Sequence, residues 1–353
     1  MSLATVSTAR RAFAGLVAVT AVVLASCSQP SDDDASTIIR TTTKIEGAGV
    51  VGIDRDTTAA CALPTPVDPG LAPDGTHHVV HTAGESDVPS DPQRIVVLDT
   101  PALDAVCSLG LWERVVGAAV DDGETSQPTY LGTGISHIAS IGSEDDPNLD
   151  LVAQANPDLI LGSSPTGDDS YAEFSAVAPT VYVGSDPVNW KTQFLLAGNA
   201  LGRADSASAQ LEQYQQDAAL LGYDIDSSQT QASVVRFDSD SLHIQGPSSF
   251  AGQVLADAGV RRPAYQDLGE SVTAAVPDDD LEQVEGDLVY VIIDDMSKAH
   301  AEDVMASDAW QNLGAAEDGR VFVVADAIWT GNGLVAAHAV LTDLRDTLNA
   351  YVS

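Results

Sequence analysis

Basic residues are scarce in this 353-residue chain: 15 Lys and Arg stand against 52 Asp and Glu, a formal charge of −37. Such an excess repels nucleic acid and anionic membrane surfaces, so no nucleic-acid partner is expected. The acidity reads as a heavily solvated surface, because no acidic run has the Asp-x-Asp-x-Asp-Gly spacing of a calcium loop. Gly-x-Ser-x-Gly elbows, Walker loops, His-Glu-x-x-His helices and Cys-x-x-Cys pairs are absent as well. Hydrolase, nucleotide and zinc chemistry are left without a signature, so the expectation is a chain with no catalytic residue and no resident metal. After Cys27 no apolar stretch is long enough to cross a bilayer.

What the amino terminus does contain is informative. Arg10-Arg11 precede an apolar run from Ala12 to Ala25, and Leu24-Ala25-Ser26-Cys27 closes it. A charged start, a short apolar core, small residues and then a cysteine form the pattern of a lipoprotein signal peptide. Residues 1–26 should be removed and Cys27 lipidated, leaving the protein outside the cytoplasm and tied to the outer face of the cell membrane. Arg10-Arg11-Ala12-Phe13 also resembles a twin-arginine core, which leaves the export route open. Removal of the peptide takes away two arginines and no acid, leaving a formal charge of −39. Cysteine is limited to three residues. With Cys27 lipidated, Cys61 and Cys107 form an even pair in an oxidising compartment and are expected to bond, two buried thiols being the alternative.

From Ser28 to about Gly75 the chain is rich in Ser, Thr, Asp, Pro and Gly, which reads as tether and irregular arm. His77–Thr82 and Glu85–Val88 read as a short hairpin. Apolar strands then alternate with helices, the pattern of parallel sheets covered on both faces. Asp186-Pro187 opens one helix with Trp190, Phe194, Ala197 and Leu201 at helical spacing, ending at Gly202. Asp205 can cap a second helix with the stripe Ala207, Leu211, Tyr214, Ala218 and Leu221. An internal repeat is visible: Asn156-Pro157-Asp158-Leu159-Ile160-Leu161 matches Glu285-Gly286-Asp287-Leu288-Val289-Tyr290, and the same offset pairs Asp150 with Asp279. Leu109-Gly110-Leu111 echoes Ala258-Gly259-Val260 in the same way. The fold class is therefore α/β, with two similar lobes and a cleft between them, and the second helix is long enough for a strut between lobes, an ordinary amphipathic helix inside one lobe being the alternative. The boundaries read as signal peptide 1–26, lipidated cysteine, tether and arm 27–76, first lobe 77–202, connecting helix 203–224 and second lobe 225–353.

Ligands of open parallel sheets sit beyond the carboxyl ends of the strands. Loops there hold Tyr130, Trp190, Phe250 and Trp329 as candidates to face a bulky ligand. Arg236 is the charge able to meet an anionic or carbonyl-rich one, and Thr100, Ser163 and Ser248 offer hydroxyl contacts. His77, His78 and His81 cluster in sequence, but on a strand His78 points away from the other two, so a solvated hairpin is preferred to a metal site.

Arg94-Ile95-Val96-Val97-Leu98, Val115-Val116-Gly117, Pro147-Asn148-Leu149-Asp150, Pro157-Asp158-Leu159-Ile160-Leu161 and Gly319-Arg320-Val321-Phe322-Val323-Val324 resemble the periplasmic-binding-protein family of iron-siderophore, haem and cobalamin ABC importers. Gly47-Ala48-Gly49-Val50 and Ser126-Gln127-Pro128-Thr129-Tyr130-Leu131-Gly132 further resemble actinobacterial FecB-type iron-transport lipoproteins. The resemblance implies two Rossmann-like lobes with parallel sheets joined by a single long helix, and a monomeric solute-binding receptor that holds a ferric siderophore in the shallow cleft between them and has no cofactor of its own, the iron staying inside its chelator. It implies delivery to a two-fold ABC permease served by a separate ATPase, with Asp150 and Asp279 docking to permease arginines where the family usually has Glu. Haem or cobalamin as ligand, or a surface scaffold or sensor without transport, are the alternatives. Acidic bulk charge argues mildly against a strongly anionic chelate, although a pocket can differ from the bulk.

Overall fold

The computed structural model describes residues 47–53, 55–164, 170–278 and 280–348. The arm contributes β1 (Gly49–Val50), and a hairpin of β2 (Thr76–His81) and β3 (Gly84–Pro89) follows. The first lobe runs β4 (Ile95–Val97), α1 (Thr100–Ser108), β5 (Val115–Val120), β6 (Ser140–Ser143), α2 (Leu149–Ala155), β7 (Leu159–Gly162), α3 (Ser170–Val177), β8 (Thr180–Tyr182) and α4 (Trp190–Ala200). Its five strands are all parallel, in the order β6-β5-β4-β7-β8. β4, β7 and β8 are buried along their whole length, as strands covered on both faces must be.

α5 (Ala204–Asp224) connects the lobes; its 21 residues span roughly 32 Å. Its cap differs from the expected one. Asp205 lies in the first turn, and Asp68 of the arm accepts from the Ala204 amide at 2.6 Å and the Asp205 amide at 3.0 Å. The arm thus supplies the oxygen acceptor that the free helical amides need.

The second lobe runs β9 (Ala232–Phe237), β10 (Leu242–Gln245), α6 (Phe250–Asp257), β11 (Thr273–Val276), β12 (Leu288–Ile293), α7 (Lys298–Met305), α8 (Asp308–Gln311), α9 (Gly314–Glu317), β13 (Val321–Ala325), α10 (Asp326–Trp329) and α11 (Leu334–Leu348). Its sheet has the order β1-β13-β12-β9-β10-β11, with β10 antiparallel to both neighbours. The residues read as irregular arm place β1 at the edge of this sheet, Gly49 opposite Phe322 and Val50 opposite Val323.

The internal repeat has a structural counterpart. Asp158 accepts from the Gln93 and Arg94 amides, and its own amide donates to Arg94 O at 2.9 Å. At the matching place Asp287 accepts from the Gln231 amide and donates back to Gln231 O at 2.8 Å. Each aspartate fastens the entry to the first strand of its lobe. Gly110 and Gly259 likewise end α1 and α6 with φ of 72° and 69°, a left-handed helix stop that glycine adopts without a Cβ clash. One apolar cluster continues through α1, α4, α5, α6 and α11, so the lobes share a core.

Candidate functional site

The first lobe's strands end in a set of anchored carboxylates. Asp99, just after β4, accepts from the Ala102 amide and the Ser163 hydroxyl, both at 2.9 Å, and from the Ser163 amide. One side chain thereby caps α1 and ties the exit of β4 to the exit of β7. Glu144, after β6, accepts from the Thr100 amide and hydroxyl, both at 2.7 Å. Burial pushes Glu144 up to about 7, with the charges of Asp99 and Asp121 adding to the rise. Burial also raises Asp99, against the opposing pull of its Ser163 and Ala102 donors.

Three aspartates end the parallel strands of the second lobe: Asp238 after β9, Asp294 after β12 and Asp326 after β13. Arg236 on β9 meets all three. Its Nε donates to Asp326 at 2.9 Å, and its terminal nitrogens lie 3.4 Å from Asp238 and 3.8 Å from Asp294. Burial raises Asp326; Arg236 works against the rise, while Asp294 and, from the other lobe, Asp121 reinforce it. Asp121 thus adds to the rise of both Glu144 and Asp326. Met296, three residues past β12, is 80% exposed beside them and offers a polarisable apolar contact.

Hydrogen bonds and an ion pair clamp the two lobes together. Asp104 of α1 accepts from the Val335 and Ala336 amides at the start of α11, at 2.9 and 3.0 Å, and from the Tyr130 hydroxyl at 3.1 Å. Gln253 of α6 donates to Pro187 O at 2.9 Å, and Lys191 of α4 pairs with Asp257 at 2.6 Å. Such a clamped pair of lobes, with polar groups converging at the strand ends, is suited to holding a ligand in a preformed cleft.

A family model described as periplasmic binding protein matches residues 95–327, from the first strand of one lobe to the start of α10 in the other. The chain belongs to the periplasmic binding protein family. It is 29% identical over 284 residues to the probable siderophore-binding lipoprotein YfiY of Bacillus subtilis, covering 76% of this chain and 87% of that one. The petrobactin-binding protein YclQ of the same organism is 27% identical over 74% of this chain and 84% of its own. Among solved structures, Staphylococcus aureus SirA complexed with staphyloferrin B superposes with a TM-score of 0.66 at 25% identity, covering 78% of this chain and 99% of that one.

In this periplasmic binding protein the four aromatics expected to face the ligand are packed inside. Trp190 is fully buried, edge-on to Tyr214 at 5.6 Å and Phe250 at 5.3 Å, and Phe250 is itself 2% exposed. Trp329 stacks on Tyr290 and donates to Asp343 at 2.9 Å. Tyr130 is spent on Asp104. Thr100 and Ser163 do lie at strand ends, where they hold Glu144 and Asp99. Ser248 does not join them: β10 is antiparallel, so the loop after Gln245 leaves from the opposite end of the sheet, and the Ser248 hydroxyl donates to Gly269 O at 3.4 Å. Arg236 sits in the site, neutralised by its neighbours.

Asp150 is exposed in the first turn of α2, while Cys27 and Asp279 fall outside the described residues. Cys61 and Cys107 are joined by a disulfide. The clustered histidines go to separate partners: His77 to Asn199 O, His78 to Asp87, His81 to Ser86. Among the described residues no group of three or more His, Cys, Asp or Glu could hold a metal ion. A cavity of about 740 Å³ lies apart from the strand ends, walled by the arm at Arg55–Ala62, by Gln210 and Gln213 of α5 and by Leu334, His338 and Ala339 of α11. The groups at the strand ends that the sequence reading passed over are Asp99, Asp121, Glu144, Asp238, Asp294, Asp326 and Met296. Most carried a signal, since an aspartate directly follows each of the apolar runs ending at Leu98, Val120, Phe237, Ile293 and Ala325.

Proposed function

We propose that this protein is a lipid-anchored solute-binding receptor that captures a ferric siderophore outside the cytoplasm and delivers it to an ABC importer. The observation that carries the reading is the match along both lobes to relatives named for siderophore binding, YfiY foremost, over most of either chain. Cys27 is the anchor, residues 1–26 its signal peptide, and the mature protein acts as a monomer. Iron stays in its chelator, held between the two sets of strand ends, and no bond is broken by this chain. A permease dimer with a separate ATPase carries out transport, meeting one carboxylate of each lobe, Asp150 and Asp279. Among the described residues no helix is long and apolar enough to cross a membrane, which suits anchorage by lipid.

Titration of residues 28–353 with ferric chelates, haem and cobalamin, followed by tryptophan fluorescence, tests the reading. Trp190 and Trp329 are buried, but a bound coloured chelate quenches by energy transfer without contact. Saturable quenching by a ferric chelate at micromolar levels is expected; saturation by haem or cobalamin alone would replace the ligand class. Docking has its own test. Asp150→Lys should reduce ferric-siderophore uptake by cells about tenfold, by setting a like charge against permease arginines, while leaving chelate affinity unchanged. Normal uptake by that variant would remove Asp150 from the docking surface.

A further inference from the structure

We infer that the cleft selects ferric chelates of positive or zero net charge and rejects anionic ones, a statement about ligand class that rests on the receptor reading above. The cleft itself is the binding site on grounds of family and lobe geometry; its charged groups decide only the sign of what enters. Asp99, Asp121 and Glu144 end the strands of one wall, and Asp238, Asp294 and Asp326 those of the other. Arg236 meets the three of the second wall and is divided among them, at 2.9 Å from Asp326, 3.4 Å from Asp238 and 3.8 Å from Asp294. An arginine so engaged has little field left for an anionic chelate. To bind one it would have to give up Asp326, leaving that largely buried carboxylate, 21% exposed, unpaired.

Protonation does not reverse the sign. Leaving out Asp99, Glu144 and Asp326, which burial shifts upward, Asp121, Asp238 and Asp294 still outnumber the one guanidinium. Among the other basic groups, Lys191 is paired with Asp257, His300 contacts Asp278 and Asp238 O, and His243 lies 3.5 Å from Asp238.

Iron(III) balanced by three hydroxamates is neutral, and a pendant ammonium makes the complex cationic. Three doubly deprotonated catecholates leave it strongly anionic. With about two excess negative charges roughly 8 Å from the bound chelate, each unit of chelate charge changes affinity about sixfold at low salt and about twofold at physiological ionic strength.

The decisive comparison titrates the protein with three ferric chelates at low and physiological salt: a linear trihydroxamate with a free amine, the same chelator with the amine acylated, and a tricatecholate. Affinity should fall in that order, and the preference for the amine over its acylated form should shrink as salt rises. The doubly neutralised variant Asp238→Asn/Asp294→Asn should narrow the order in low salt. Because the salt series uses the unaltered protein, a folding defect in the variant does not blunt the test. Tightest binding of the tricatecholate, or an order indifferent to salt, overturns the charge inference while leaving the receptor reading intact. Failure of all three chelates removes the receptor reading and this inference with it.

Discussion

Replacing Asp104 by alanine is expected to destabilise the protein by about 3–5 kcal/mol, because the change deletes the acceptor for several buried donors at once. The carboxylate takes the amides of Val335 and Ala336, the Tyr130 hydroxyl and, at 3.4 Å, the Ser108 hydroxyl. These donors belong to α1, α11 and the loop at Tyr130, so the loss falls on the junction of the two lobes. Asp104→Asn keeps one carbonyl oxygen and should fall between alanine and the native protein. Burial lifts Asp104 from 3.8 to about 6, its four donors opposing the rise. A carboxyl whose folded pKa is raised contributes stability that is complete below about 3.8 and is lost as pH rises through about 6. The gap between native protein and Asp104→Asn should therefore narrow from pH 4.5 to pH 8. Denaturant unfolding at both pH values checks both statements, and a gap of under ~1 kcal/mol for alanine would show that water replaces the lost acceptor.

Much of the fold was legible because burial leaves periodic traces. Continuous apolar runs such as Leu159–Leu161 have no polar face to offer solvent and therefore sit in the middle of parallel sheets. The repeat was legible for a physical reason too: Asp158 and Asp287 perform the same fastening, so the same local sequence is needed twice. The site was less legible. A bulky aromatic near a strand end looks alike in sequence whether it turns toward a ligand or into the core. For Trp190 the helical stripe it shares with Phe194 and Ala197 was the clue that it packs inward. The reversed direction of β10, which removes Ser248 from the site, depends on pairing partners distant in sequence that no local pattern reveals. Carboxylates after strands were visible but indistinguishable from the general acidity of the chain. Only their convergence on Arg236 and across the lobes gives them meaning.

Breaking the Cys61–Cys107 bridge is expected to cost about 4 kcal/mol, the loop-closure entropy for a sequence separation of 46, and its effect should concentrate on the arm. The arm begins as β1 on the edge of the second lobe, where Val51 N donates to Val323 O at 2.9 Å. It then passes α11, where Arg55 donates to Ala339 O at 3.0 Å and pairs with Asp343, the same carboxylate that receives Trp329. At Cys61 it is bonded to α1 of the first lobe, with Ala62 N donating to Cys107 O at 3.1 Å, and further on Asp68 caps α5. One segment therefore touches both lobes and the helix between them, and the disulfide is its covalent point of attachment. Without it, the short β1 ladder, the Arg55 contacts, the Ala62–Cys107 backbone bond and the Asp68 cap must hold the arm. The double variant Cys61→Ser/Cys107→Ser should melt at a lower temperature than the native protein by several degrees, and reductant should lower the native midpoint to match. Amide exchange should rise in residues 47–62 more than in the strands of either sheet, because those strands keep their own ladders. Equal loss of protection across both sheets would mean that the bridge supports the whole core, and an unchanged midpoint would mean that the arm adds nothing to stability.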